Sequence, residues 1–357
     1  PLHCRQAHRF GSRSRQRFNR KEMIMKKIIN NPDQFVDEMV EGILLAHPDQ
    51  VKTPGDDRRV LVRANSPAAG RVGIVTGGGS GHLPLFKGYV GRGLCSGVAI
   101  GNVFSSPSVQ QCADAAKAVD GGAGVLFLYG NYGGDVFNFD LAVDLLELDG
   151  IETRTVLGCD DVASQPKERA RDRRGVAGIF FAYKAAGAAA ERGDSLDEVA
   201  AVAQKVVDNT ATMGVGLSPT ILPTTGSPSF ELPDGEMEIG IGIHGEPGIH
   251  RGPLGTADEI ADRILDSVIP DLSLREGDRV AVLVNGLGAT PLEELYLLYR
   301  RTHRRLTDLG VVIERRYVGE YATSLEMAGA SISLLKVDDA LLELLDAPAQ
   351  SPFFREA

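Results

Sequence analysis

Three residues of this 357-residue chain have the types and surroundings to do chemistry: His82, Asp135 and His244. His82 closes the run Val75-Thr-Gly-Gly-Gly-Ser-Gly-His82. Without Cβ atoms, the glycines around Ser80 let the backbone reach positive φ and approach a ligand closely, its N–H groups facing oxygens. A tight strand-to-helix turn would explain the glycines but not a histidine at its exit. A nucleotide fingerprint is missing. The GxGxxG series fails at His82, no acid lies between His82 and Ala113 to hold a ribose, and GxxxxGK[ST] does not occur.

Asp135 ends Asn131-Tyr-Gly-Gly-Asp135 behind the apolar run Gly124-Val-Leu-Phe-Leu-Tyr129. Open parallel sheets bind ligands at the carboxyl ends of their strands, so a carboxylate there is placed to accept a proton. It is equally placed to cap the helix that follows. His244 lies in Ile243-His-Gly-Glu-Pro-Gly248, where glycines and a proline leave it uncrowded. A neutral imidazole there can be a base, a metal ligand or a nucleophile; read alone, it is a hydrogen-bonded loop histidine. Metal binding lacks ligands, since His250 is the next histidine and the carboxylates are not clustered. Gly79-Ser-Gly81 lacks the spacing of a hydrolase elbow.

The elements that must position these residues follow from apolar periodicity. Phe35, Met39, Ile43 and Leu44 recur at helical spacing and predict a surface helix. Val60–Val62 and Val72–Val75 read as strands, the second running into the glycines. The run 124–129 has the unbroken apolarity of a strand covered on both faces, a helix follows through Leu146, and Thr153–Leu157 is the next strand. This is the βαβ rhythm of a largely parallel sheet. Helices are predicted at Ala177–Ala190 and Leu196–Val207, the second opened by the capping box Ser195-x-x-Glu198. The alternation Met237-Glu-Ile-Gly-Ile-Gly-Ile243 predicts a strand that ends at His244. Thr256-x-x-Glu259 caps a helix through Val268. Arg279–Val284, Val311–Tyr317 and Ile332–Val337 are further strands, with Asn285-Gly-Leu-Gly-Ala-Thr-Pro291 leading into a helix.

Length favours two domains, and 43% hydrophobic with 24% charged residues suits a globular chain with sizeable cores. No apolar run reaches the 18 residues of a membrane span. Net charge is -10, yet seven basic residues from Arg5 to Lys21 precede Glu22, the first acid. The acidic remainder would repel a phosphate backbone, so nucleic acid is a poor partner. We read residues 1–24 as a basic disordered extension, 25–210 as an N-terminal α/β domain and 211–357 as a C-terminal α/β domain. Cys4, Cys95, Cys112 and Cys159 form no CxxC pair and read as reduced, cytoplasmic thiols. His303, among Arg300, Arg301, Arg304 and Arg305, reads as a solvated helix face, with docking of an acidic partner as its other role.

Taken together the motifs are more specific than singly. Gly77-Gly-Gly-Ser-Gly-His82, Ser105-Ser-Pro107, Asn131-Tyr-x-Gly-Asp135, Asn138-Phe139, Arg173-Arg-Gly-Val176, Gly242-Ile-His-Gly-Glu-Pro-Gly-Ile249, Asn285-x-Leu-Gly-Ala-Thr-Pro-Leu292 and Ser331-x-x-Leu-Leu-Lys-Val-Asp-Asp339 occur in one order. From about Met25 onward the chain resembles the substrate-binding K subunits of dihydroxyacetone kinases. The resemblance implies two α/β domains with mostly parallel or mixed sheets, the site at their junction, and a homodimer. It also implies covalent capture of a ketose, the nitrogen matched by His244 adding to the ketone carbon to give a hemiaminal. Polyols such as glycerol have no carbonyl, so such a bond selects ketoses. His82 and Asp135 match the residues that hold the substrate and help deprotonate its attacking hydroxyl, and Gly79, Ser80 and Gly81 match the contacting loop.

The same resemblance implies that this chain binds no cofactor itself. ADP or ATP with Mg²⁺ is expected on a separate L subunit, and a phosphotransferase-system phosphocarrier joins if phosphoenolpyruvate is the donor. Two departures bear on substrate: Leu83 stands where many members have Glu, and Gly130 where some place a lysine beside the substrate. Loss of that cation frees volume and removes a donor, which would suit a tetrulose such as erythrulose. The competing expectation is a non-catalytic ketose sensor acting with a transcription factor. A nucleotide-dependent oxidoreductase lacks its fingerprint.

Overall fold

The computed structural model describes residues 26–357; the expectations for residues 1–24 lie outside the described residues. After helix α1 (Phe35–Ala46), strands β1 (Val51–Lys52), β2 (Val60–Arg63), β3 (Gly73–Ser80), β4 (Gly97–Val103), β5 (Val125–Gly130) and β6 (Thr153–Gly158) form one sheet. Its order is β1-β2-β4-β3-β5-β6. The pairs β3/β4, β3/β5 and β5/β6 are parallel, while β1/β2 and β2/β4 are antiparallel. The parallel core is the βαβ rhythm that the sequence predicts.

The apolar run of β5 explains the layering, because alternate side chains must enter opposite cores. Val125, Phe127 and Tyr129 pack with residues of α2 (Val109–Val119) and α3 (Gly133–Leu148). Leu126 and Leu128 join the core built around α4 (Ile179–Arg192) and α5 (Leu196–Asp208). Helix α4 is apolar on every side from Ile179 to Ala190, apart from Lys184, and all twelve of these residues are buried. A helix apolar all round cannot face water, and here protein surrounds it.

The second sheet begins at Thr210 and contains β7 (Thr210–Gly216), β8 (Glu236–Ile239), β9 (His250–Pro253), β10 (Arg279–Gly286), β11 (Val312–Gly319) and β12 (Gly329–Lys336), in the order β11-β10-β12-β7-β8-β9. Only β10/β11 is parallel, so this sheet is mixed. One face carries α6 (Ala257–Asp271) and α7 (Leu292–Asp308). The other face contributes Ala281, Leu283, Tyr317 and Leu335 to the core around α4, and Phe180 and Phe181 of α4 pack on Tyr317. Helix α8 (Asp339–Asp346) and the segment beyond it return to the first sheet's side, where Lys184 donates to the carbonyls of Leu344 and Ala347.

Two expectations change. The strand predicted over 237–243 stops at Ile239, because Gly240 turns to φ +82° and its N–H donates to the Gly214 carbonyl. His244 therefore stands on a turn beyond the strand. Helix α7 begins just past Pro291, and its arginines pair with α6: Arg300 with Asp258, Arg301 with Asp262, and Arg305 with Asp262 and Asp266. That basic cluster is a helix–helix seam.

Candidate functional site

The glycine run belongs to β3, which stays paired with β4 as far as Ser80. Glycine is required where chains meet: a Cβ on Gly79 would lie 2.7 Å from the Ser105 nitrogen and 2.8 Å from the Phe104 Cα. Gly81 adopts φ +113°, which L side chains avoid. The chain then delivers His82 fully buried, its ring stacked on Phe104 at 5.0 Å and edge-on to His244 at 4.8 Å. Tyr132 and Phe104 also pack against the His244 ring, each with centroids at 5.0 Å.

Hydrogen-bond partners fix which nitrogens are free. His82 Nδ1 lies 2.7 Å from the Thr323 carbonyl, which can only accept, so Nδ1 carries the proton and Nε2 keeps its lone pair. That Nε2 is buried and has no partner among the described residues. Burial, with the neighbouring charges of His244 and Lys87 adding to it, holds the His82 pKa well below its ordinary value, so the ring is neutral. Thr323 belongs to the second sheet's side. Asn285, at the end of β10, holds its loop by accepting from the N–H groups of Tyr321 and Ala322, both at 2.8 Å.

His244 Nδ1 lies 2.8 Å from Glu246 Oε1. Burial pushes the Glu246 carboxyl up, but hydrogen bonds from the His244 ring and backbone and attraction to His244 outweigh it, bringing it down to about 2. The ionised carboxylate accepts, so Nδ1–H points at Glu246 and Nε2 is left with its lone pair free. Arg174 ties this turn to the first sheet, 3.8 Å from Glu246 and 2.8 Å from Asp161.

Asp135 sits in the first turn of α3, whose N-cap is Tyr132, so the capping reading fails. It is buried, and its Oδ1 has no hydrogen-bond partner among the described residues. Burial raises its pKa to about 6, against the opposing pull of a hydrogen bond from Ser106 and of His244. A carboxylate so poised can take a proton near neutral pH.

The structure thus brings His82 and His244 into ring contact, with Asp135 in electrostatic reach of His244 and Gly79, Ser80 and Gly81 forming the adjoining lip. Sequence reasoning missed Glu246, Thr323, Asn285 and Lys87. Glu246 had a signal, an acid two residues past a histidine in a Gly/Pro turn. Thr323 had none. Lys87 is fully buried, with Nζ 3.5 Å from Ser80 Oγ, and burial beside Arg59 lowers its pKa to about 7. At Gly130 the expected free volume is partly taken, since a Cβ there would meet the Tyr132 ring at 3.3 Å. Among the described residues, no group of three or more His, Cys, Asp or Glu side chains could hold a metal, and no helix is long and apolar enough to cross a membrane.

Residues 41–353 match the model of the Dak1 domain. The chain belongs to the Dak1 family. It is 45% identical over 331 residues to the PTS-dependent dihydroxyacetone kinase 2, dihydroxyacetone-binding subunit DhaK, of Listeria innocua serovar 6a, covering 93% of this chain and 99% of that one. It is 43% identical over 336 residues to the L-erythrulose 1-kinase of Mycolicibacterium smegmatis, covering 93% of this chain but only 58% of that kinase. Among solved structures, the dihydroxyacetone kinase of C. freundii superposes with a TM-score of 0.85 at 29% identity, covering 93% of this chain and 61% of that one. The dihydroxyacetone kinase operon co-activator Dha-DhaQ gives 0.82 at 32% identity, covering 87% and 96%. The two-sheet α/β fold is that of these Dak1 proteins.

Proposed function

We propose that this Dak1 chain is the ketose-binding subunit of a kinase, capturing dihydroxyacetone or a related short ketose as a hemiaminal on His244. The observation that carries this is the free Nε2 of a His244 ring set edge-on, 4.8 Å away, to the ring of His82, whose own Nε2 is unpartnered, with Glu246 holding His244 Nδ1. His244 Nε2 gives its lone pair to the ketone carbon and the carbonyl π pair moves to oxygen, which takes up a proton. Loss of the Nδ1 proton leaves the adduct neutral, and Glu246 stabilises the imidazolium before that loss. His82 Nε2 accepts from a substrate hydroxyl. Asp135 accepts the proton of the terminal hydroxyl as that hydroxyl's oxygen attacks the γ-phosphorus of the nucleoside triphosphate, the bond from that phosphorus to the β-phosphate oxygen breaks, and the nucleoside diphosphate leaves on the L subunit.

The donor nucleotide, ADP rephosphorylated from phosphoenolpyruvate or exchangeable ATP, is carried with Mg²⁺ by a separate L subunit. The chain works as a cytoplasmic homodimer of 25–210 and 211–357 domains, in glycerol and ketose metabolism. The second sheet's start at Thr210 supports that division.

The likeness to the Dha-DhaQ co-activator favours a second reading, a ketose sensor. A sensor needs His244 but no base, so the buried, partner-free Asp135 Oδ1 argues for catalysis. Intact-mass measurement with dihydroxyacetone, and with each erythrulose enantiomer, tests capture. The native chain gains the ketose mass and His244→Ala does not; an adduct that survives in His244→Ala defeats the assignment. Comparing kcat/KM across the three ketoses with the L subunit decides the substrate.

A further inference from the structure

Helix α3 is apolar on two faces. Phe139, Ala142 and Leu146 are buried against the first sheet's core. Phe137, Leu141, Leu145 and Leu148 recur at four, four and three residues, which puts them in one row on another face. That row is exposed, Phe137 by 65% and Leu148 by 85%. A helix that must hide only one face carries polar residues on the other, so a second apolar row marks a surface that something covers. The row starts two residues past Asp135 on the same helix, on the exposed side and turned away from the buried carboxylate, so an occupant meets the candidate site only where it extends beyond the N-terminal end of α3.

Charge selects the occupant. Asp140, Asp144 and Glu147 are exposed along one flank of the row. A second copy of this chain, docked with the two helices antiparallel about a two-fold axis, would set these acids against their equivalents. A partner with an apolar face and a basic rim meets no such repulsion. The proposed mechanism requires one protein to come within bonding reach of the hydroxyl beside Asp135, the phosphoryl-carrying subunit. We propose that the Phe137–Leu148 face of α3 is the docking surface for that nucleotide-carrying subunit, its apolar contact ringed by basic side chains that pair with Asp140, Asp144 and Glu147. This inference rests on the kinase reading.

The test uses the full chain and a purified L subunit of the same source, loaded with ATP and Mg²⁺. Leu141→Ser and Leu148→Asp, which lie away from the site, are compared with Leu45→Asp, a control on exposed α1. Ketose adducts by intact mass report on capture without the partner. The rate at rising L-subunit concentration reports on docking. The expected result is unchanged adduct, an L-subunit concentration for half-maximal rate at least tenfold higher in both α3 variants, a similar rate at saturation, and no change in Leu45→Asp. An unchanged half-maximal concentration overturns the docking surface. So does a change confined to oligomer size, which would assign the face to pairing of copies. If the native chain forms the adduct but gives no turnover with the L subunit, it is the kinase reading that fails.

Discussion

Glu246 Oε1 sits 2.8 Å from Nδ1 of His244, on the ring edge opposite the free Nε2. The pair is built by the turn itself, since the carboxylate also accepts from the His244 backbone N–H, and a Cβ on Gly242 would strike Glu246 Oε2 at 2.1 Å. The carboxylate therefore sets the tautomer of the imidazole and, in the proposed mechanism, supports the positive charge that grows on it during addition.

Glu246→Gln tests this relationship. An amide can turn its NH₂ toward Nδ1, which favours the tautomer whose Nε2 carries the proton and cannot attack. Ketose adduct formation, followed by intact mass over time, should slow by roughly 10²-fold or more, in line with the loss of an orienting acid–base partner. An undiminished rate would mean that Glu246 only braces the turn.

Asp135, as the proposed base, gives turnover its pH dependence. As a base it must be ionised, and with its pKa raised to about 6 the ionised fraction falls as pH drops through 6. Turnover with saturating L subunit should lose a decade per unit on the acid side of that value. Asp135→Asn should keep the adduct and lose about 10²- to 10⁴-fold in turnover at every pH, with the acid limb gone. Retention of the limb in the variant would assign it to another group.

Much of this site was legible in the sequence because its parts are local. Glycines before His82 and a turn after an apolar strand announce themselves through backbone requirements that few other residues meet. His244 was legible too, although the strand leading to it ends earlier than its alternation suggests, since alternation cannot report that Gly240 adopts φ +82°. What stayed hidden is non-local. Thr323 lies 241 residues from His82 and acts through a carbonyl, which carries no side-chain signature. Lys87 lies in a stretch with no motif of its own, and only the packing shows it buried.

Lys87 gives a stability prediction. Its folded-state pKa of about 7 lies below the ordinary 10.5, so between these values the unfolded chain binds more protons than the folded one. Stability on this account rises as pH climbs from 7 towards 10.5, and the cost of burying the charge is complete below pH 7. Lys87→Met keeps the stem and removes the ammonium. Thermal melts should show the variant more stable than the native chain at pH 6.5 and the gain shrinking at pH 9.5. A gain independent of pH would mean that the amine is not what burial penalises.

Asn285 orients the loop whose Thr323 carbonyl holds His82. Its Oδ1 accepts two backbone N–H groups and its Nδ2 donates to the Ala322 carbonyl at 2.9 Å, all at a residue 1% exposed. Asn285→Ala leaves those donors buried without partners, at a cost of about 1–3 kcal/mol for each. Urea unfolding should register that loss. The effect on function separates positioning from mere stability: with the Thr323 carbonyl displaced, His82 is free to place its proton on Nε2, and it then no longer accepts from the substrate. At a temperature where the variant remains folded, its KM for ketose should rise several-fold while the adduct on His244 still forms. Asn285→Asp keeps both acceptor contacts and should recover the KM more fully than the stability, because its buried carboxylate is itself costly. A KM unchanged in Asn285→Ala would show that His82 does not depend on this loop for its orientation.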